Sequence, residues 1–498
     1  MLRHAASSIL LALLALGCRP EPAVVAPAPA APEPAEPAAT GPEVHRWIGS
    51  LALPDGSGLD FAISIAPPDD APEAEPVATL WIPAQMIVRM PIGAPVVDAE
   101  GRIAVSLAMV GATWTITPGE EPECSFSQRG MDLDCDLEAV DAEEFAELTT
   151  PARPQTPKPP FPYAITEVEI ANPEAPGVTL AATLTVPEGP GPHPGLVLIS
   201  GSGLQDRDET IAEHKPFWIL ADHLSRRGIA VLRYDDRGFA GSTGDPKSAT
   251  LEDFASDARA AARWLADQPE IDGDRVGLLG HSEGGVIAPY IAAQHPDDAD
   301  FLVLLAGTGV SGSEVVVHQL GLIMRAGGAP EATIEREQAA ARAKHQVLRE
   351  HADDPAAAKA ALEQLLRAQH DALPAEEQAA QGDLEAAVAQ EVEMLASPWF
   401  RHFLAYDPAP ALKQVRVPVL VLFGDKDLQV DPEQNLAPMR AALKNNKQAD
   451  FVRFPGLNHL FQPASTGSPS EYGVIEQTLA PELLDRVTTW LRATAKLD

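Results

Sequence analysis

Val276-Gly277-Leu278-Leu279-Gly280-His281-Ser282-Glu283-Gly284-Gly285 carries an apolar strand into a tight turn, and a helical pattern follows at once. The turn contains G-x-S-x-G in the strand–turn–helix context that gives this otherwise common motif its meaning. Glycines stand where side chains would collide on so sharp a bend. Such a turn exposes the Ser282 hydroxyl and points the N–H groups of the next helix start toward it. Ser282 is the expected nucleophile; the other reading is a chance turn serine.

A serine hydroxyl needs a base to take its proton, and the base needs a third group to fix its tautomer. On an elbow of this kind the partners follow in the order nucleophile, acid, histidine. The apolar run Val417 to Phe423 leads into Gly424-Asp425-Lys426-Asp427, and Phe451 to Phe454 leads into Pro455-Gly456-Leu457-Asn458-His459. Asp427 as orienting acid and His459 as general base meet both the order and the strand-end position. Asp425 is the rival acid. Ser200-Gly201-Ser202-Gly203-Leu204 follows the run Gly195 to Ile199, where a first oxyanion donor belongs. Backbone N–H groups of Ser202 or Gly203, with that of Glu283, would hold a tetrahedral oxyanion. The side chains of His281 and Glu283 read as scaffolding of the elbow. The expected chemistry calls for no metal and no cofactor.

Outward from the elbow, apolar runs at 195–199, 229–234, 276–279, 301–305, 417–423 and 451–454 alternate with amphipathic helical patterns such as 251–267 and 481–491. That rhythm predicts an α/β domain over 163–498, a mainly parallel sheet covered on both faces. An Ala-, Glu- and Gln-rich insertion at about 311–396 interrupts it. Leu384, Val388, Val392 and Leu395 share one helical face, so a helical cap is expected whose apolar stripes cover a neighbouring surface. Residues 45–149 show short apolar segments between Pro, Gly and Asp turns, the pattern of a small all-β domain. A Pro-rich linker, 150–162, separates the two.

The first 17 residues resemble an export signal: Arg3, an apolar core Ile9 to Leu16, then Leu14-Ala15-Leu16-Gly17-Cys18. The core is too short to span a bilayer. The ending resembles a bacterial lipobox, which would leave Cys18 lipidated; an ordinary secretory signal with an incidental Cys is the alternative. The Pro/Ala/Glu-rich stretch up to residue 44 reads as an extended tether. Together these predict an exported chain anchored by lipid to a bacterial envelope membrane. Cys124 and Cys135, an even pair flanking an expected hairpin turn at Arg129-Gly130, suggest a cross-strand disulfide, with two free thiols as the alternative. With 36 Lys and Arg against 72 Asp and Glu, the 498-residue chain carries a formal charge of −36. That excludes nucleic acid as a partner, because phosphate binding relies on clustered cations.

Taken together, Ser200-Gly-Ser-Gly-Leu-Gln-Asp-Arg-Asp-Glu209, Tyr234-Asp-Asp-Arg-Gly238, Gly280-His-Ser-Glu-Gly-Gly285, Ser397-Pro-Trp-Phe400, Gly424-Asp-Lys-Asp-Leu-Gln429 and Leu457-Asn-His-Leu-Phe-Gln462 resemble the α/β-hydrolase superfamily. The resemblance is closer to its bacterial EstD-type carboxylesterases and runs from Pro159 to the C-terminus. Trp81-Ile-Pro-Ala-Gln85 and Phe126-Ser-Gln128 extend it into the β domain. Leu204 departs from it where Pro is expected. The resemblance implies a cofactor-independent serine hydrolase acting on small carboxylic esters, often with short acyl chains. The charges around Arg207 and Arg237 are expected to brace loops, with substrate contact as the alternative. The same triad could serve a peptidase, acyltransferase or thioesterase, and a surface binding lipoprotein with a vestigial hydrolase fold is the non-enzymatic reading.

Overall fold

The computed structural model describes residues 44–52, 58–67, 74–82, 87–107, 112–119, 121–128, 131–150, 152–374, 378 and 384–496. The expected signal, Cys18, nearly all of the tether and the Arg129-Gly130 turn lie outside the described residues. The chain divides into two compact units between Ala152 and Arg153.

The first unit consists of β1 (His45–Ala52), β2 (Gly58–Ala66), β3 (Val77–Ile82), β4 (Ile87–Gly93), β5 (Val96–Val97), β6 (Ile103–Leu107), β7 (Ala112–Thr117), β8 (Glu123–Gln128), β9 (Met131–Ala139) and a closing helix α1 (Ala142–Thr149). The strands form one antiparallel sheet in the order β4-β3-β2-β1-β9-β8-β7-β6-β5. Alternate residues face inward, as in β7, where Ala112, Trp114 and Ile116 are buried and the residues between them only partly so. Trp47, Ile63, Leu80, Trp114 and Phe126 fill the core. On β8 and β9, Cys124 pairs directly with Cys135 and the two sulfurs are bonded. Helix α1 was not anticipated in an all-β segment. Asp141 caps it, and Phe145 sits edge-on to Trp81, covering that face of the sheet.

The second unit opens with the antiparallel pair β10 (Tyr163–Ala171) and β11 (Thr179–Pro187). It continues through β12 (His193–Ile199), α2 (Pro216–Ser225), β13 (Ala230–Tyr234), α3 (Leu251–Ala266), β14 (Ile271–His281), α4 (Gly284–Gln294) and β15 (Leu302–Leu305). Among the described residues six helices follow: α5 (Gly312–Ala326), α6 (Glu331–Glu350), α7 (Pro355–Asp371), α8 (Leu384–Leu395), α9 (Pro398–Ala405) and α10 (Ala409–Leu412). The chain ends with β16 (Val419–Gly424), α11 (Pro432–Ala442), β17 (Ala449–Phe454) and α12 (Pro481–Thr494). The sheet order is β10-β11-β13-β12-β14-β15-β16-β17, parallel from β13 to β17, with β11 reversed. This is the α/β-hydrolase arrangement.

The central strands β12, β15 and β16 are buried on both faces, which explains their nearly unbroken apolar runs. Val197, Leu278, Val421 and Phe423 point into a core with α3, α4 and α11. Their neighbours Leu196, Leu198, Leu279, Leu420 and Leu422 point into a second core with α2 and α12. Parallel strands deliver their C-terminal ends to one edge, where crevices between loops form. The elbow and the loops carrying Asp427 and His459 all leave the sheet there.

The helical insertion differs from expectation in two respects. It continues past Ala396 through α9 and α10. Its stripes also cover one another: Leu362, Leu366, Val388, Val392 and Leu395 pack with Leu348, Phe400 and Leu404 in a core of their own.

Candidate active site

Ser282 sits between β14 and α4 at φ +54°, a left-handed conformation that costs a non-glycine residue on the order of 1–3 kcal/mol. Its surroundings enforce this. Ser282 N–H donates to Leu305 O at 2.8 Å, tying the turn to β15, and Gly285 N–H donates to Ser282 O at 3.0 Å. A Cβ at Gly280 would run into the backbone of Gly284, and one at Gly284 into the carbonyl of Ile199. These close approaches are why G-x-S-x-G reads as it does here.

His459 follows β17 in a loop shaped by Asn458, which is fully buried. The Asn458 side-chain oxygen accepts from Leu460 N–H at 3.0 Å and Gln462 N–H at 2.9 Å, closing a tight turn around the histidine. His459 Nδ1 lies 2.8 Å from Asp427 Oδ2. The other Asp427 oxygen accepts from Gln429 N–H and Val430 N–H, both at 2.8 Å, so the carboxylate is held at both ends. Asp427 is 2 % exposed and His459 4 %, which strengthens their hydrogen bond by excluding water. A carboxylate bound at Nδ1 fixes the tautomer and leaves Nε2 to exchange a proton. Asp425 points elsewhere: its Oδ1 accepts from Gly456 N–H at 2.5 Å, joining the acid loop to the histidine loop.

Ser202 and Gly203 lie on the loop after β12, with Gly203 at φ +90°. That loop passes close to the nucleophile, since a Cβ on Gly201 would stand 3.2 Å from Ser282 Cβ. Glu283 begins α4, so its N–H belongs to a helix N-terminus, where donors point outward and favour negative charge.

Two side chains read as scaffold prove more engaged. The Glu283 carboxylate, 7 % exposed, accepts from Trp399 Nε1 at 2.8 Å, so α9 of the insertion reaches the residue next to the nucleophile. Burial pushes the Glu283 carboxyl up to about 7, against the lowering pull of that hydrogen bond. His281 lies 2.8 Å from Glu209 Oε1 through Nδ1 and 3.0 Å from the His459 carbonyl through Nε2. Burial pulls the His281 imidazole down, but the charge and hydrogen bond of Glu209 outweigh it and raise it. Sequence reading missed Glu209 and Trp399 as site residues. Both lay within stretches that carried the family resemblance, but no spacing rule linked them to Ser282.

Around these residues the charges of the Arg207 and Arg237 stretches form braces. Arg207 is clamped by Asp235 at 2.7 Å and by Glu167, and Arg237 by Asp257 at 2.6 Å and Asp253 at 3.1 Å. Asp236 accepts from Ser200 Oγ at 3.0 Å and Gln205 N–H at 2.8 Å, fixing both ends of the loop that carries Ser202 and Gly203. Among the described residues, no three His, Cys, Asp or Glu side chains gather as metal ligands would.

Esterase EstD of Thermotoga maritima is 29% identical over 318 residues, 63% of this chain and 65% of the esterase. The chain thus spans a little under two thirds of that relative. Among solved structures, the esterase PF2001 of Pyrococcus furiosus is 14% identical, with a TM-score of 0.42 over 70% of this chain and 98% of that one. The α/β hydrolase GrgF of Penicillium sp. sh18 is 16% identical, with a TM-score of 0.41 over 67% of this chain and 100% of that one. The model of the X-Pro dipeptidyl-peptidase (S15) family matches residues 176–454, from the turn before β11 to the end of β17. That match covers more than half of the sequence and takes in the elbow and the Asp427 loop, and the chain belongs to this family.

Proposed function

We propose that the protein is a serine hydrolase of small carboxylic esters, working through Ser282, His459 and Asp427. The observation that carries this reading is the buried 2.8 Å Asp427–His459 hydrogen bond, at the same sheet edge as a serine held at φ +54°. His459 Nε2 takes the Ser282 proton as Oγ attacks the ester carbonyl. N–H groups of Ser202 or Gly203 and of Glu283 hold the developing oxyanion. The imidazolium returns its proton to the leaving alcohol, and water then hydrolyses the acyl-Ser282 ester by the same route. The name of the T. maritima relative supports the ester as substrate. The family match supports a second reading, in which the leaving group is an amine and the substrate an X-Pro peptide.

We further propose that the chain is exported and lipid-anchored through Cys18, with the stretch before residue 44 as tether. The support is the residue pattern alone, together with a Cys124–Cys135 disulfide that suits an oxidising compartment. Cys18→Ser would then release the protein from the membrane fraction.

The deciding experiment combines fluorophosphonate labelling with a substrate panel of short-chain esters, thioesters and X-Pro amides. An adduct on Ser282 with ester turnover dominant is the expected result. Amide turnover dominant would move the reading to peptidase, and no adduct would leave a binding protein.

A further inference from the structure

We infer that Glu209 and His281 form a buried, charged positioning pair that holds the oxyanion loop and His459 in register with Ser282. The inference rests on the triad reading above and adds two residues to it.

Glu209 is 1 % exposed and His281 4 %, so neither spends its hydrogen bonds on water. One oxygen of Glu209 accepts from Gly201 N–H at 2.8 Å and from His281 Nδ1 at 2.8 Å. His281 Nε2 meets the His459 carbonyl at 3.0 Å. A carbonyl oxygen can only accept, so Nε2 must carry a proton; an ionised carboxylate can only accept, so Nδ1 must carry one too. The pair is therefore an imidazolium against a carboxylate, spanning three loops that are distant in sequence. Glu209 is itself held at φ +52°, strain that persists only where surroundings fix it.

The cation lies beside the base. The His281 and His459 rings stand 4.8 Å apart between centroids. Glu209 is the farther partner, because His281 lies between it and His459. Groups facing His281 are Glu209, the His459 carbonyl and ring, and the charge of Asp427. Asp236 is taken up by Ser200 and Gln205, and Glu283 by Trp399.

The test compares kcat and KM for a small activated acetate ester in the full-length protein, Glu209→Gln and His281→Gln. Both substitutions break the chain of contacts from the oxyanion loop to the His459 carbonyl. In both variants kcat should fall about tenfold as the oxyanion donors and the base lose register with Ser282, with KM within about twofold of the parent's. Folded variants whose kcat is unchanged, or whose loss falls on KM alone, overturn the inference while fluorophosphonate still labels Ser282. Failure of the parent to label or turn over ester instead removes the triad reading and the pair with it. Should neither variant fold, nitrogen-15 histidine spectra of the parent decide: one buried histidine doubly protonated at pH 8 is expected, and none overturns the proposal.

Discussion

The nine-stranded sheet and the strand ends of the eight-stranded sheet bury opposite kinds of group. Trp47, Ile63, Leu80, Trp114 and Phe126 make the first core purely apolar, and among the described residues no charged or polar side chain is buried before Asn172. Behind the elbow, Glu209, Asp236, His281, Glu283, Asp427, Asn458 and His459 are all buried within loops leaving one sheet edge. Apolar burial stabilises, whereas buried charge costs free energy unless every partner is in place. Stability and chemistry are thus assigned to different regions, and the strand-end region tolerates its cost because two apolar cores flank the sheet beneath it.

The largest separation of the two properties should come at Ser282. Replacing it with Ala removes the nucleophile but no packing, so ester turnover should drop on the order of 10⁵-fold or more, with the melting temperature nearly unchanged. Turnover within tenfold of the parent would break the assignment. Next comes the acid. Asp427→Asn should lower kcat on the order of 10³- to 10⁴-fold by favouring the wrong His459 tautomer, whereas Asp425→Asn, which weakens one loop contact to Gly456, should cost less than about tenfold. The reverse ranking would move the acid to Asp425.

Much of this site was legible in sequence because its backbone requirements are local. The sharp elbow demands Gly280 and Gly284, and the order of Ser282, Asp427 and His459 follows from where parallel strands end. Asp425 and Asp427 could not be separated that way, since both lie in one loop. Their roles diverge through hydrogen bonds from Gly456 on one side and Gln429 and Val430 on the other. Glu209 and Trp399 were hidden for a different reason. They reach the elbow from 72 and 116 residues away, and no periodicity records such a contact. The cap's stripes were visible as stripes, but an apolar stripe does not say what covers it, and these cover each other.

Acid should distinguish the two regions next. Burial, with the Arg153 charge, holds His214 down at about 4, and burial with Lys344 and Arg349 does the same for His345. Both lie in the second unit. The unfolded chain takes up these protons near pH 6.5, which the native state refuses until about 4. Stability is therefore full above 6.5 and falls as pH drops through that window, by a few kcal/mol in all. Glu283 acts in the opposite sense: its carboxyl is raised to about 7, so its contribution weakens as pH rises from 4.5. The two histidines outweigh it. Calorimetry at pH 5 and pH 7 should show the second unit melting lower at pH 5 while the first unit holds its position. An equal shift in both would mean that the buried histidines do not control acid stability.

The most localised effect belongs to the first unit. Among the described residues its apolar core carries no titrating group, so the Cys124–Cys135 bond is the covalent lever on it. The bond joins directly paired residues of β8 and β9 across a sequence separation of 11. Closing so short a loop removes unfolded-state entropy worth about 3 kcal/mol. Reduction should therefore lower the melting temperature of a unit of this size by roughly 10–20 °C, with β8 and β9 still paired through their backbones. Ester turnover, which the proposed site assigns to residues of the second unit, should be unchanged below that transition. If mild reductant abolishes turnover while the first unit stays folded, the disulfide bears on the strand ends directly, and the division of labour drawn from burial is wrong.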